Sequence, residues 1–167
     1  MSRGFVKEDD QEEIPLVTPR AYLPAGHANY VTPTGFKALK AEQRVLVDER
    51  KALRAQSIEN NRVQINYLTS KLALLEERIN SAKIVDLSNQ EQDKIRFGAR
   101  ITIYKKEEDC ISRYQIVGVD EANVSQNKIS FLSPLAKALL NKKAGDEIIL
   151  HTPDGKRFIR IEAIEYS

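Results

Sequence analysis

Few residues of this chain have the types and spacing that catalysis or metal binding requires. The only histidines, His27 and His151, lie far apart in the sequence and far from the single cysteine, Cys110, so the pattern does not predict a zinc site. There is no phosphate-binding loop, and no serine, histidine and aspartate set suggests nucleophilic catalysis. A lone cysteine also excludes an internal disulfide, which fits a reducing compartment. The sequence therefore argues against an independent enzyme and predicts no bound metal or cofactor.

The one stretch with a distinctive polar pattern runs from residue 54 to residue 62, where Glu59 is the only acid. If this stretch forms a turn, its polar side chains are those of Arg54, Ser57, Glu59, Asn60, Asn61 and Arg62. Further basic residues flank it at Arg50, Lys51 and Lys71. This charge distribution fits either an ordinary solvated helical surface or a basic probe directed toward phosphates or an acidic protein.

Residues 36 to 82 must position that polar stretch, and no Gly or Pro lies within them to break a helix. Two apolar stripes occur at heptad spacing, but the second is displaced by one residue from the first. They are Leu39, Leu46 and Leu53, followed by Ile65, Leu68, Leu72, Leu75, Ile79 and Ala82. One residue is about 100° of helix rotation, so a single helix would carry two misaligned stripes. The pattern predicts an antiparallel helical hairpin (coiled coil) over residues 30–86 with its tip between about Arg54 and Asn61; one long dimerising helix is the alternative.

The start of the first helix is marked by Thr32, a good N-cap, and by Pro33 at the first helical position. Val31 and Phe36 have the spacing of a hydrophobic staple across that cap. The preceding residues 1–29 contain five acids close together and several prolines, at Glu8, Asp9, Asp10, Glu12, Glu13, Pro15, Pro19 and Pro24. Such a composition predicts a largely disordered tail; docking of this tail on a basic partner surface is the alternative.

Length and charge set the broad class of the protein. The chain has 167 residues and a formal net charge of +2, so no global basic field predicts a general nucleic-acid coat. No apolar run is long enough to cross a membrane, and the first residues lack the apolar core of a signal peptide. We expect a soluble, cytoplasmic protein of one or two small domains.

The sequence changes character after a polar linker at residues 87–93. Residues 94–167 alternate apolar and polar positions in several short segments, which predicts strands. The predicted strands are 95–97, 100–104, 113–117, 129–132, 147–152 and 157–166, with a helix at 135–142 and a tight hairpin at Asp154-Gly155. The whole chain is therefore predicted to be α+β, a helical hairpin mounted on an antiparallel sheet domain of about five strands with one short helix.

Six short motifs occur in order between residues 30 and 166. They are YVTPTGF at 30–36, KIVD at 83–86, QIVG at 115–118, SPLAKALLNKKAGDEI at 133–148, TPDG at 152–155 and IEAIEY at 161–166. Together they resemble the bacterial GreA/GreB transcription elongation factors, and they look closest to the GreB branch. The resemblance implies an N-terminal coiled coil and a C-terminal domain of FKBP-like fold that binds bacterial RNA polymerase at its secondary channel.

The same resemblance implies that one stretch helps the C-terminal domain to dock on the polymerase rim. This stretch is Ser133, Pro134, Leu135, Ala136, Lys137, Ala138 and Leu139. Leucines in a short helix are core residues first of all. Ser133, Pro134 and Lys137 are therefore the better surface candidates.

The tip departs from the family pattern. Family members that stimulate transcript cleavage carry a D-x-x-E-N motif, whose two carboxylates help to hold a second magnesium ion in the polymerase active site. Here Glu59 and Asn60 match the end of that motif, but Gln56 stands at the aspartate position. The hairpin is also expected to be shorter by about two turns per arm, or about 11 Å. Any contact with polymerase-bound magnesium is then indirect, and contact of the tip with nascent RNA or a nucleotide stays open.

Three functions follow from these observations. The first is a Gre-like elongation regulator that occupies the secondary channel with weak or no cleavage stimulation. The second is a true GreB-type cleavage factor that uses Glu59, a weak candidate alone, with Asp48 or Glu49. The third is an FKBP-like prolyl isomerase or chaperone. The absence of Trp and of an obvious aromatic cluster argues against this third function.

Overall fold

The helical hairpin is the first feature of the computed structural model, which describes residues 15–167. Helix α1 spans Pro33–Gln56 and α2 spans Arg62–Ser81, so the tip lies where the shift between the two stripes predicts it. The α+β prediction is confirmed, with the hairpin followed by a sheet domain. Among residues 15–167, no helix is long and apolar enough to cross a membrane.

The start of α1 follows the predicted capping chemistry. The Thr32 hydroxyl accepts a hydrogen bond from the Gly35 backbone N–H at 2.9 Å, and Pro33 occupies the first helical position. Val31 is buried in the apolar cluster against which Phe36 packs, as the staple requires. These contacts fix both the first residue of α1 and the direction in which the chain enters it.

The two predicted stripes meet between the helices. Leu39 and Leu46 from α1 form one buried cluster with Leu68, Leu72 and Leu75 from α2. Leu75 is completely buried, and burying a leucine side chain contributes about 1.5–3 kcal/mol. Since both stripes are satisfied within one chain, the hairpin does not need a second copy to cover them.

A short parallel pairing closes the base of the hairpin. Strand β1, Asn29–Val31, pairs with β2, Ala82–Ile84, so the chain enters and leaves the hairpin at adjacent positions. The buried Asn29 amide donates to the Arg78 carbonyl at 2.9 Å and to Ser81 Oγ at 3.1 Å. The sequence did not predict this pairing, because three-residue strands carry almost no periodicity.

Residues 15–28, which the sequence assigned to a disordered tail, contact the hairpin in the structure. Arg20 forms ion pairs with Glu42 and Asp120, both at 2.9 Å, and the Ala21 carbonyl accepts a hydrogen bond from Arg78. Composition alone does not indicate this contact, because it includes ion pairs between residues far apart in the sequence. The acidic part of the predicted tail lies outside the described residues. The predicted boundaries at 30–86, 87–93 and 94–167 stay predictions.

The second module is a five-stranded sheet that packs against one short helix, α3, Pro134–Leu139. Its strands are β3 Arg100–Lys105, β4 Cys110–Val117, β5 Lys128–Ser130, β6 Glu147–Thr152 and β7 Gly155–Glu165, in the spatial order β5-β4-β3-β7-β6. The β6–β7 hairpin turns where Asp154-Gly155 predicts it. The prediction of a purely antiparallel sheet is wrong at one edge, where β4 and β5 pair in parallel. The ten residues between them reverse the chain twice, which a two-residue hairpin turn could not do.

Two further local predictions differ from the structure. Residues 95–97 form no strand; Ile95 instead exchanges backbone hydrogen bonds with Asn141 and Lys142, both at 2.8 Å, and its side chain is completely buried. Helix α3 ends at Leu139, before the predicted residue 142, because Asn141 adopts a left-handed φ of 68°. Asparagine tolerates this conformation better than most residues, and it ends the helix.

Candidate functional site at the hairpin tip and the short helix

The tip turns between α1 and α2 without a glycine. The Asn61 side-chain amide donates to the Leu53 carbonyl at 3.1 Å and to the Ser57 carbonyl at 2.9 Å. The Ser57 hydroxyl accepts from the Asn60 backbone N–H at 3.2 Å. The Leu53 and Ser57 carbonyls also accept from the backbone N–H groups of Ser57 and Asn61, both at 3.2 Å, so side chains reinforce a backbone turn that contains no glycine.

The predicted tip residues divide into two groups by exposure. Ser57 and Asn61 are half-buried and hold the turn, whereas the others point into solvent: Arg54, Glu59, Asn60 and Arg62. Among residues 15–167 there is no cluster of three acidic, histidine or cysteine side chains that could hold a metal ion. The tip therefore presents one carboxylate in a basic surrounding, as the sequence indicates.

Two apolar side chains at the tip were missed by the sequence reasoning. Ile58 is 64% exposed and Val63 is 76% exposed. Both lie off the heptad stripes, and this position is the signal that could have identified them as surface residues. They give the basic tip an apolar component.

Helix α3 presents only part of the predicted docking stretch. Ser133 caps the helix by accepting from the Ala136 N–H at 3.2 Å. Ala136 and Leu139 are completely buried in the core, so neither can contact a partner in the folded protein. Pro134 and Lys137 are exposed, whereas Ser133, Leu135 and Ala138 are half-buried.

The hairpin is fixed to the sheet domain by a buried hydrogen-bond chain. Thr32, which caps α1, donates its hydroxyl to Glu121 Oε2 at 2.5 Å. Glu121 also pairs with Lys128 on β5 at 3.3 Å, and its side chain is only 10% exposed. A Cβ atom on Gly35 would lie 2.4 Å from Glu121 Oε2, so a side chain at this position would have to displace the carboxylate. One carboxylate therefore connects the first turn of α1 to the edge of the sheet.

Three aromatic rings form a second connection at the same junction. Tyr30 packs on Phe97 and Phe131 with ring centroids 5.9 and 5.7 Å apart, and Phe97 and Phe131 are 5.7 Å apart. A Cβ atom on Gly118 would lie 2.4 Å from the Tyr30 carbonyl oxygen. This aromatic cluster is not apparent in the sequence, because the three rings come from three separate segments. Phe131 lies two residues before the cap of α3, so the hairpin base and the predicted docking helix share one packed unit.

A third connection is formed by charged groups. The Asp120 side chain, which is 6% exposed, accepts from Arg20 Nε at 2.9 Å and lies 3.7 Å from Arg78 Nε. Burial makes the largest single contribution to the pKa of Arg20 and lowers it. The hydrogen bonds to Glu42 and Asp120 together outweigh burial, so the pKa is raised. Arg20 of the N-terminal segment thus joins Glu42 of α1 to Asp120 of the sheet domain, and Asp120 also lies beside Arg78 of α2.

Comparison with known proteins assigns this architecture to a family. A family model described as "Transcription elongation factor, GreA/GreB, C-term" matches residues 89–166. Transcription elongation factor GreB of Neisseria meningitidis serogroup B is 32% identical over 154 residues, with 83% of this chain and 94% of the relative covered. GreA of Acidiphilium cryptum is 32% identical over 151 residues, with 81% and 96% covered. The chain belongs to the GreA/GreB family.

Comparison with solved structures gives low superposition scores. A GreA/GreB factor from Nitrosomonas europaea is 20% identical and covers 82% of this chain and 98% of its own, with a TM-score of 0.42. The GreA factor homolog 1 protein of Thermus thermophilus is 24% identical and covers 83% and 99%, with a TM-score of 0.38. At these scores the superposition adds no support of its own to the assignment.

The aligned region of the Neisseria GreB is longer than the matching part of this chain. It runs over 154 residues but includes 83% of this 167-residue chain, about 139 residues. The GreB sequence therefore has about 15 residues within the aligned region that have no counterpart here.

Proposed function

We propose that this GreA/GreB family member binds bacterial RNA polymerase at the secondary channel and regulates elongation with weak or no stimulation of transcript cleavage. The sheet domain docks on the channel rim through the exposed face of α3, at Ser133, Pro134 and Lys137. The hairpin enters the channel. The observation that carries this proposal is the tip, where Glu59 is the only carboxylate.

The chemistry of the metal explains why one carboxylate is insufficient. A second magnesium ion in a polymerase site needs anionic oxygen ligands that offset its loss of water. Glu59 offers one such group, in a stretch that also contains Arg54 and Arg62. The next acids along α1, Asp48 and Glu49, lie about two turns before the end of the helix at Gln56, or about 10–12 Å back along its axis. They cannot complete a ligand set with Glu59.

The length of the hairpin supports the same conclusion. The helices contain 24 and 20 residues, and at 1.5 Å per residue they are about 36 and 30 Å long. If the 15 or so residues that the Neisseria GreB has in addition belong to its hairpin, each of its arms is about two turns, or about 11 Å, longer. A tip that stops this far short does not arrive at the catalytic magnesium.

The test is a stalled, backtracked elongation complex assayed for RNA cleavage, with binding to the same polymerase measured in parallel. We expect binding at micromolar or lower concentration and cleavage no faster than the intrinsic rate of the polymerase. A cleaving Gre factor in the same assay is the positive control. Stimulated cleavage by this protein would overturn the proposal.

The second candidate, a true cleavage factor, is favoured by the 32% identity to the Neisseria GreB. If cleavage is stimulated, Glu59→Ala separates the cases. Loss of cleavage in this variant would identify Glu59 as the ligand, whereas retained cleavage would direct the search to other acids.

A further inference from the structure

The two edges of the sheet differ in how they are closed. At one edge, β5 has three residues, and Lys128 exchanges two backbone hydrogen bonds with Asn123, at 2.9 and 3.0 Å. At the other edge, β6 has six residues, and within residues 15–167 it pairs with β7 alone. Its sequence EIILHT contains no proline or lysine, and its pairing with β7 contains no bulge. Proteins commonly use those devices to protect an exposed edge strand, so β6 is an open edge.

The backbone of β6 directs hydrogen-bonding groups outward at this edge. Phe158 of β7 lies opposite Ile149, yet its N–H donates to the Glu107 carboxylate at 2.9 Å and its carbonyl accepts from the Lys106 N–H at 3.0 Å. Both backbone groups of Phe158 are therefore turned away from β6. In an antiparallel pair this makes the opposite residue non-hydrogen-bonded, so the N–H and C=O of Ile149 face the open edge. The same alternation applies to the residues two positions before and after Ile149.

The exposed side chains of β6 form a row with an apolar centre and polar ends. Ile148 lies in the core with the buried residues of α3. Because side chains alternate between the faces of a strand, Ile149 lies on the solvent-facing side, where it is 48% exposed. Glu147 and His151, two residues away in each direction, are also exposed. The row is therefore an acid, an isoleucine and a histidine at equal spacing.

This row is complementary to a second copy of itself. In an antiparallel pair centred on Ile149, the Ile149 side chains of the two copies lie opposite each other, and Glu147 of each copy lies opposite His151 of the other. Side chains directly opposite each other in neighbouring strands are close enough to interact, and an imidazole N–H can donate to a carboxylate. A register shift of two residues would instead place the isoleucine opposite a polar side chain.

We propose that β6 is a self-association surface, through which two copies of this protein join edge to edge about a two-fold axis at Ile149. Three residues of each strand direct an N–H and a C=O outward, so the two strands form about six hydrogen bonds between the copies. The two five-stranded sheets then become one continuous sheet. Both copies use the same patch, as a closed two-fold dimer requires.

The side chains favour a second copy over an unrelated extended peptide. Backbone groups at an open edge accept many extended segments, whereas the row of Glu147, Ile149 and His151 matches a strand of the same pattern running in the opposite direction. One six-residue strand from each copy makes a small interface, which belongs to the weak and transient class. We therefore expect a reversible dimer with a dissociation constant of about 100 micromolar.

Sedimentation velocity of the full chain over about 10 micromolar to about 1 millimolar tests the association, because a dimer of this strength is populated only in the upper part of that range. A reductant keeps Cys110 from forming a disulfide between copies. We expect the sedimentation coefficient to rise with concentration toward that of a dimer. Hydrogen exchange of residues 147–152 should become at least about threefold slower over the same range, since their outward amides become bonded, whereas residues 128–130 should not change.

Two sets of variants test the surface and its register. Ile149→Lys places a charge on the edge and should weaken association at least about tenfold. Ile111→Lys is the matched control, since Ile111 is 66% exposed but lies on β4, away from the edge, and it should leave association unchanged. His151→Glu alone should weaken the dimer, because like charges then lie opposite each other. Adding Glu147→Lys to it should restore the dimer, since opposite charges again lie face to face.

Circular dichroism establishes that each variant is folded. A sedimentation coefficient that stays constant over the whole range would overturn the proposal, and so would an Ile149→Lys variant that associates as strongly as the unaltered protein. Equal weakening by Ile111→Lys would show that the contact lies elsewhere on the sheet. If the double variant associates no better than His151→Glu alone, the register centred on Ile149 is wrong.

Discussion

Thr32→Ala tests whether the hairpin is held on the sheet domain by one hydroxyl group. This hydroxyl accepts from Gly35 N–H at 2.9 Å and donates to Glu121 at 2.5 Å, and Thr32 is 2% exposed. Losing an N-cap side chain costs about 1 kcal/mol, and losing a hydrogen bond to a charged group costs about 1.5–3 kcal/mol. Because Glu121 keeps Lys128 as a partner, we expect the unfolding free energy to fall by about 2–4 kcal/mol.

Urea unfolding followed by circular dichroism measures this loss, and a thermal melt should show a decrease of at least about 4 °C. Thr32→Ser keeps both hydrogen bonds and should recover most of the stability. Thr34→Ala is the matched control, since Thr34 lies in the same turn but is exposed, and it should change the free energy by less than about 0.5 kcal/mol. If the unfolding free energy of Thr32→Ala lies within about 0.5 kcal/mol of that of the unaltered protein, the Thr32 hydroxyl does not hold the junction.

Three further predictions concern docking, reach and pH. Lys137→Glu should weaken polymerase binding at least tenfold with an unchanged circular dichroism spectrum, whereas Lys142→Glu, exposed but beyond α3, should not; equal affinities would remove α3 from the docking surface. Gln56→Asp restores the acid pair with Glu59 but does not lengthen the hairpin, so cleavage of backtracked complexes should stay at the intrinsic rate of the polymerase; faster cleavage with this variant would refute the inference from hairpin length. Burial raises the pKa of Tyr166, whose hydroxyl donates to the Lys94 carbonyl at 2.5 Å. The neutral form is therefore favoured by folding, and stability should fall above pH about 10; Tyr166→Phe should show a shallower fall, and an identical pH slope would contradict this role.

The hairpin was the part of the fold that the sequence predicted best. The displacement of one apolar stripe against the other located the tip, and Thr32 with Pro33 located the start of α1. Both signals are local in the sequence and depend on side-chain chemistry that the fold does not override. In the site, side-chain type separated the buried Leu139 from the exposed Lys137.

The contacts between the modules could not be predicted in this way. Glu121 and Thr32 are 89 residues apart, and nothing in either local pattern indicates that they meet. The parallel edge strand and the course of residues 15–28 also depend on long-range pairing, which periodicity does not report. Those are the features that hold the tip at a fixed position relative to α3.

The parallel pairing of β1 with β2 has a consequence for how such proteins can diverge. Because the entry and exit of the hairpin are joined side by side, the arms beyond this clasp can be lengthened or shortened together without moving the base. Removing seven residues from each arm keeps the apolar stripes in register and shortens the prong by about 10 Å. The length of the hairpin can therefore change through paired deletions alone, without altering the β1–β2 pairing at its base.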